Sequence, residues 1–409
     1  MTSRERVQRL LAGQPVDRIP NGLGGCETAG LHNLAYHKLK RILGVDDLAN
    51  RVCTFMNNAI FEPSVLQAMG GDIVLLGSPL MCPSRFWGPT AGKEWKPLSL
   101  WGIDLQVAGK WQFRKEASGA CWWDDRSVCP AGAFYFDPPV SSSPGTSLDQ
   151  VVFPSPDDFH PSHTLPESIL RRLEESAKWL YENTDYAIFC GETINDLQLR
   201  PGGTQSWWMQ MVAEPEACHE FLGKAVEAGI AQLRQLDLAI GKYCAVLGIA
   251  NDMGDTRGIT IGPDLWRKIY KPHYKRLFTE WHKITRMKVN LHTCGAMSEI
   301  LGDLIECGVD LYNPVQISAN NMAPESLKQR FGKKLIFYGG VFDAVQLHTS
   351  ASPEVVYETV KSHIRTFSRD GGYLFAGVHN LPPDIPEPHL KAMLEAYRDC
   401  CHDRSLSSK

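Results

Sequence analysis

The sequence lacks most of the features that betray a function class by themselves. It has no run of basic residues: 42 Lys and Arg stand against 46 Asp and Glu, a net charge of −4. No stripe is available to follow a phosphate backbone, so nucleic acid is not expected as a partner. No stretch approaches the roughly 18 apolar residues of a membrane helix, and residues 1–11 are charged where a signal peptide would carry an apolar core. A cytoplasmic protein without membrane contact is expected. The 12 cysteines fall at irregular spacings with no C-x-x-C pair, which argues against a disulfide framework and for reduced thiols.

What remains is a chain with enough apolar content, 43%, and few enough charges, 22%, to build a large core, which excludes disorder, collagen and coiled coil. Short apolar runs recur at residues 72–76, 187–190, 245–250, 289–291, 309–312, 335–338 and 373–378. Amphipathic stretches long enough for helices lie between them, at 169–181, 215–236, 264–284, 297–307 and 353–369. Strands alternating with helices imply parallel pairing through crossovers. With one more strand near Ile19–Leu23, the count reaches that of a closed (β/α)8 TIM barrel. An open doubly wound sheet is the alternative, weakened because no G-x-G-x-x-G turn follows the first strand.

Residues 78–150 break this rhythm. Six of the 11 tryptophans fall between Trp87 and Trp123, among Pro and Gly punctuation, and the runs 103–113 and 133–136 suggest short antiparallel strands. The expected organisation is therefore a barrel start at 1–77, an inserted Trp-rich β subdomain or lid at 78–150, and the rest of the barrel at 151–409, with Ser141–Thr146 as a flexible connection. Trp87 and Trp101 are candidates to line an aromatic substrate pocket, although packing the subdomain's own core is the simpler role for such residues.

A TIM barrel builds its active site at the carboxyl ends of its strands, so the residues after each apolar run are the ones to inspect. They are polar: Glu192, Asp252, His292 with Cys294, Asn313 and His379. His292 and Cys294, two apart, share one face of an extended strand, and imidazole with thiolate is a favoured Zn²⁺ pair. His379 is the natural third ligand. Glu192 or Asp252 is left as a fourth ligand or as an acid beside the metal, and Asn313 as a substrate contact.

Several segments together resemble the uroporphyrinogen decarboxylase superfamily: Arg4–Val7 through Gly13–Pro20, His292–Gly295, Gly308–Gln316, Phe337–Gly340 and His379–Pro386. Within it, the H-x-C pattern is similar to that of the corrinoid-dependent methyltransferases, TIM barrels whose members use zinc to activate a substrate or thiol. Two departures narrow the resemblance. The Arg-rich R-Q-A-G-R-Y motif that holds substrate carboxylates in true uroporphyrinogen decarboxylases has no counterpart, since residues 19–40 contain no arginine. The later cysteine of the coenzyme M methyltransferases is replaced by His379.

The resemblance implies a zinc-dependent methyltransferase that carries a methyl group from a small methylated donor, an aryl methyl ether in an O-demethylation, to the cob(I)alamin of a separate corrinoid protein. The partners are then that corrinoid protein and the methyl donor, with a homodimer allowed. The alternatives are a metal-free decarboxylase or lyase acting on a small carboxylate through Asp252 or Asp72, a methylcobamide:thiol methyltransferase, and a non-catalytic corrinoid-binding protein.

Overall fold

The computed structural model describes residues 1–45, 49–53, 57–78, 84, 86–137, 153–191, 193–194, 197–347 and 351–403. Thirteen strands are found among them. In chain order they are β1 (Asn50–Arg51), β2 (Ile73–Leu75), β3 (Trp95–Leu100), β4 (Ile103–Ala108), β5 (Phe113–Lys115), β6 (Cys121–Trp123), β7 (Ser127–Cys129), β8 (Ala187–Cys190), β9 (Cys244–Ala250), β10 (Lys288–His292), β11 (Leu311–Asn313), β12 (Ile336–Tyr338) and β13 (Tyr373–Leu374).

Seven of these form one all-parallel sheet in the order β13-β12-β11-β10-β9-β8-β2. Their runs are almost continuously apolar because both faces are covered, as parallel sheets require. Residues 20–22 supply the eighth stave. Phe375 N–H donates to Pro20 O at 3.0 Å, Gly22 N–H to Phe375 O at 2.8 Å and Asp72 N–H to Asn21 O at 2.9 Å, which joins the two sheet edges. This stave is reduced to a bridge because Pro20 has no N–H and Gly22, Gly24 and Gly25 carry no side chain to pack.

Period-two alternation decides what enters the lumen. Ile73, Phe189, Val246, Leu311, Tyr338 and Leu374 form one interior cluster. Leu247, Ile249, Val289, Leu291 and Tyr312 belong to the larger cluster that packs against the helices. Each such buried side chain contributes roughly 1.5–3 kcal/mol. The same alternation turns Asn290 and His292 of β10, and Asn313 of β11, toward the lumen.

The end of the barrel opposite the catalytic mouth is locked by charge. Asp72, fully buried just before β2, accepts from Arg6 Nη1 at 2.6 Å, Arg18 Nη1 at 2.7 Å and the Asn21 N–H at 2.8 Å. Arg6 also binds Asp17 at 2.6 Å, and this bond lowers the Asp17 carboxyl to a pKa of about 2. The Arg4–Pro20 motif is thus a structural clamp. Asp72, considered above as the acid of a lyase, starts a barrel strand rather than ending one, with its oxygens occupied by two guanidinium groups.

The helix boundaries carry two corrections, the smaller being that the helix expected at 297–307 spans only Leu301–Cys307. The expected 264–284 helix is two helices, Pro263–Ile269 and Lys271–Ile284, because Pro272 removes an N–H and crowds the preceding turn. The Trp-rich segment forms two small sheets. β3 and β4 make a hairpin whose two-residue turn, Trp101-Gly102, has both φ values positive, and β1 pairs parallel with the other edge of β4. β5, β6 and β7 form an antiparallel meander. The expected strand at 133–136 is instead a turn, in which Ala133 N–H donates to Pro130 O. Ser141–Thr146 lies outside the described residues. No described helix is long and apolar enough to cross a membrane.

Candidate metal centre

The lumen-facing end of β10 delivers His292, 8% exposed, and the chain then runs through Thr293 to Cys294. Thr293 N–H donates to Asn313 O at 2.9 Å, which holds this turn against β11. Gly295, at φ 98°, then turns the chain away; a side chain there would collide with the backbone of Gly254 and Asp255. His379 follows β13 from across the sheet order, its ring centroid 5.5 Å from that of His292.

The ligand atoms of His292, Cys294 and His379 all lie within 4.8 Å of one another. Cys294 Sγ and His292 Nε2 are 3.6 Å apart. Zinc bond lengths of about 2.05 Å to nitrogen and 2.3 Å to sulfur, at a tetrahedral angle, place two ligands about 3.6 Å apart, so this donor pair fits the ion.

Asn313 fixes which imidazole nitrogen faces the site. Its Nδ2 donates to Tyr338 O at 3.1 Å, so its Oδ1 is an acceptor, taking Thr28 Oγ1–H at 2.7 Å and His292 Nδ1–H at 3.1 Å. His292 Nε2 then carries a lone pair pointed at Cys294. This is the outer-shell support that metal-bound histidines ordinarily have. Asn313, expected as a substrate contact, is thus hydrogen-bonded to the candidate ligand His292.

Asp252 follows β9, half exposed, with Oδ1 accepting Cys294 N–H at 2.9 Å and lying 3.7 Å from His292 Nε2. It stands beside the triad and outside the mutually close group. Glu192 falls outside the described residues.

Burial sets the protonation of the ligands. It lowers His292, and with the neighbouring His292 it brings His379 down to about 4. Burial and then Asp252 raise the Cys294 thiol to about 12. Two neutral imidazoles and a thiol that gives up its proton to solvent only as a cation binds are the state a metal site needs.

The aromatic candidates separate. Trp87 is 4% exposed and spends its indole N–H on Leu75 O at 2.7 Å, the setting of a core residue. Trp101 packs on His32 at 4.9 Å, donates its indole N–H to Ala133 O at 3.0 Å and lies against the small core of Cys121, Cys129 and Phe136. The sequence reading missed Trp208, on the helix Thr204–Ala213, which shares a cleft with Arg200, Asn251, Asp252 and Tyr270. It also missed Glu27 and Thr28, which follow the stave at residues 20–22 as the other candidates follow their strands. Their signal was the same polar step after an apolar run.

Residues 200–400, which include Asp252, the triad and Asn313, match the uroporphyrinogen decarboxylase (URO-D) family model. Among solved structures, a methyltransferase from Methanosarcina mazei superposes with a TM-score of 0.54 at 15% identity, covering 98% of this chain and 99% of that one. Xylanase B from Clostridium stercorarium F9 gives a TM-score of 0.32 at 12% identity over 56% of this chain and 84% of that one. No curated protein matches. The first of these structures shares the whole barrel architecture, insertion included in the aligned span. Residues 200–400 are thus similar to the uroporphyrinogen decarboxylase family, and the chain as a whole shares its fold with the first of these structures.

Proposed function

We propose that the protein is a zinc-dependent methyltransferase that moves a methyl group from a small methylated donor, an aryl methyl ether, to the cob(I)alamin of a separate corrinoid protein. The observation that carries this reading is the convergence of His292, Cys294 and His379 within 4.8 Å at the end of the parallel barrel. The likeness in fold to a methyltransferase supports it. Zinc bound there would act as a Lewis acid on the donor's heteroatom.

The chain's own residues do the rest. Asn313 holds the His292 tautomer, and Asp252 orients Cys294 through its N–H. Trp208 offers an aromatic face beside Asp252 at the mouth. Glu192, after β8, remains a candidate acid. The Asp72 form of the metal-free lyase is disfavoured because Asp72 is bound by two arginines at the other end of the barrel.

Untagged protein is expected to carry about one zinc per chain, lost in His292→Ala and Cys294→Ser together with methyl transfer. Transfer is read as the fall in cob(I)alamin absorbance with reduced corrinoid protein and a panel of methoxylated aromatics, methylamines and methyl thiols. Full transfer by zinc-free protein would overturn the reading.

A further inference from the structure

The mouth holds one acid with no visible structural purpose. Glu27 sits on a short turn after the stave at residues 20–22, and its Oε1 is buried without a hydrogen-bond partner. The backbone N–H groups of Glu27 itself and of Ser78 face the carboxyl, but among the described residues no Lys or Arg contributes to its surroundings. The ionisable groups facing it are Cys26, Cys190 and Tyr338, all kept neutral by burial. A carboxylate with one oxygen buried among such neighbours is costly, and burial accordingly raises the Glu27 pKa.

Two further observations tie the acid to the site. Gly191, the residue after β8, leaves the space that the carboxyl fills; a methyl group on Gly191 would collide with it. Thr28, the next residue, bonds to Asn313 Oδ1 at 2.7 Å, and Asn313 bonds to His292 at 3.1 Å. Acid and triad are therefore joined by two hydrogen bonds across one lumen.

We infer that Glu27 is the proton donor to the donor molecule's oxygen as it loses its methyl group, and that the donors accepted are ethers whose leaving oxygen is basic. The inference rests on the methyltransferase reading. In the step, the methyl C–O bond breaks with its electron pair left on oxygen. The carbon bonds to the cobalt of cob(I)alamin, which supplies the pair and is oxidised from Co(I) to Co(III). The Glu27 proton passes to the oxygen, and water reprotonates the carboxylate. A methyl thioether would leave a weakly basic thiolate and gain little from such an acid.

The test compares wild type with Glu27→Gln on two aryl methyl ethers, one carrying a nitro group that makes its phenol acidic and one carrying an electron-donating group. Glu27→Gln should lose about 100-fold or more on the second ether and far less on the first, with zinc content unchanged. Equal losses on both, or none, would overturn the assignment of Glu27 while leaving the methyltransferase reading intact. A wild type that demethylates no ether would overturn both. Independently, the infrared difference between wild type and variant at neutral pH should show the C=O stretch of a protonated carboxylic acid; an ionised carboxylate there contradicts the assignment.

Discussion

The two ends of the barrel treat their buried polar groups in opposite ways. At the closed end Asp72 is fully buried with two arginines and a backbone N–H on its oxygens. At the mouth Glu27 has an oxygen with no partner, and the triad gathers two imidazoles and a thiol that burial keeps uncharged. A satisfied network holds a fold together, whereas a cluster short of positive charge is completed by something that binds. The difference separates residues that stabilise the barrel from those that equip it.

Breaking the closed end should have the largest effect on stability. Asp72→Ala would strand Arg6 and Arg18 without their shared carboxylate, a loss of about 3–5 kcal/mol. Denaturant unfolding would measure it, and the fraction still folded should bind zinc normally. Zinc binding lost in the folded fraction would mean that the two ends are not independent.

At the mouth the balance reverses. Asn313→Ala removes the acceptor that orients His292 and should cost about 10–100-fold in zinc affinity. Its effect on stability should be smaller than that of Asp72→Ala. Competitive chelator titration checks the first expectation and thermal unfolding the second. Gly191→Ala should displace the Glu27 carboxyl and reduce ether demethylation while zinc affinity stays unchanged.

The smallest expected effect is on pH dependence. His282 Nε2 lies 2.9 Å from Asp310, and that bond raises the histidine's pKa above its ordinary value of 6.5. The folded state therefore binds the proton more tightly than the unfolded state. This contribution is complete below the unfolded pKa and is lost as pH rises through the higher folded value. His282→Gln should flatten the fall in Tm between about pH 6 and pH 8, where histidine titrates, and leave the activity profile unchanged.

The barrel was legible because buried parallel strands must be continuous apolar runs, and each run expected from 72–76 onward overlaps one of the seven barrel strands. His292 and Cys294 were legible as a local H-x-C spacing. His379 depended on the closed barrel to bring it close. The role of Glu27 was not legible, since nothing in Cys26-Glu27-Thr28 states that one oxygen will have no partner. Trp87 and Trp208 show the same limit: a tryptophan reads alike in core and cleft until its neighbours are known. The supposed strand at 133–136 failed because a run of aromatic and small residues does not exclude a turn, and Gly132, at φ 78°, supplies one.

The central claim is that His292, Cys294 and His379 together hold one zinc ion. X-ray absorption on untagged protein tests it most directly. The account predicts about one zinc per chain with one sulfur and two imidazole nitrogens in its coordination shell, and loss of the imidazole scattering from one ligand in His379→Ala. Zinc with no sulfur neighbour, or an unchanged shell in that variant, would contradict it.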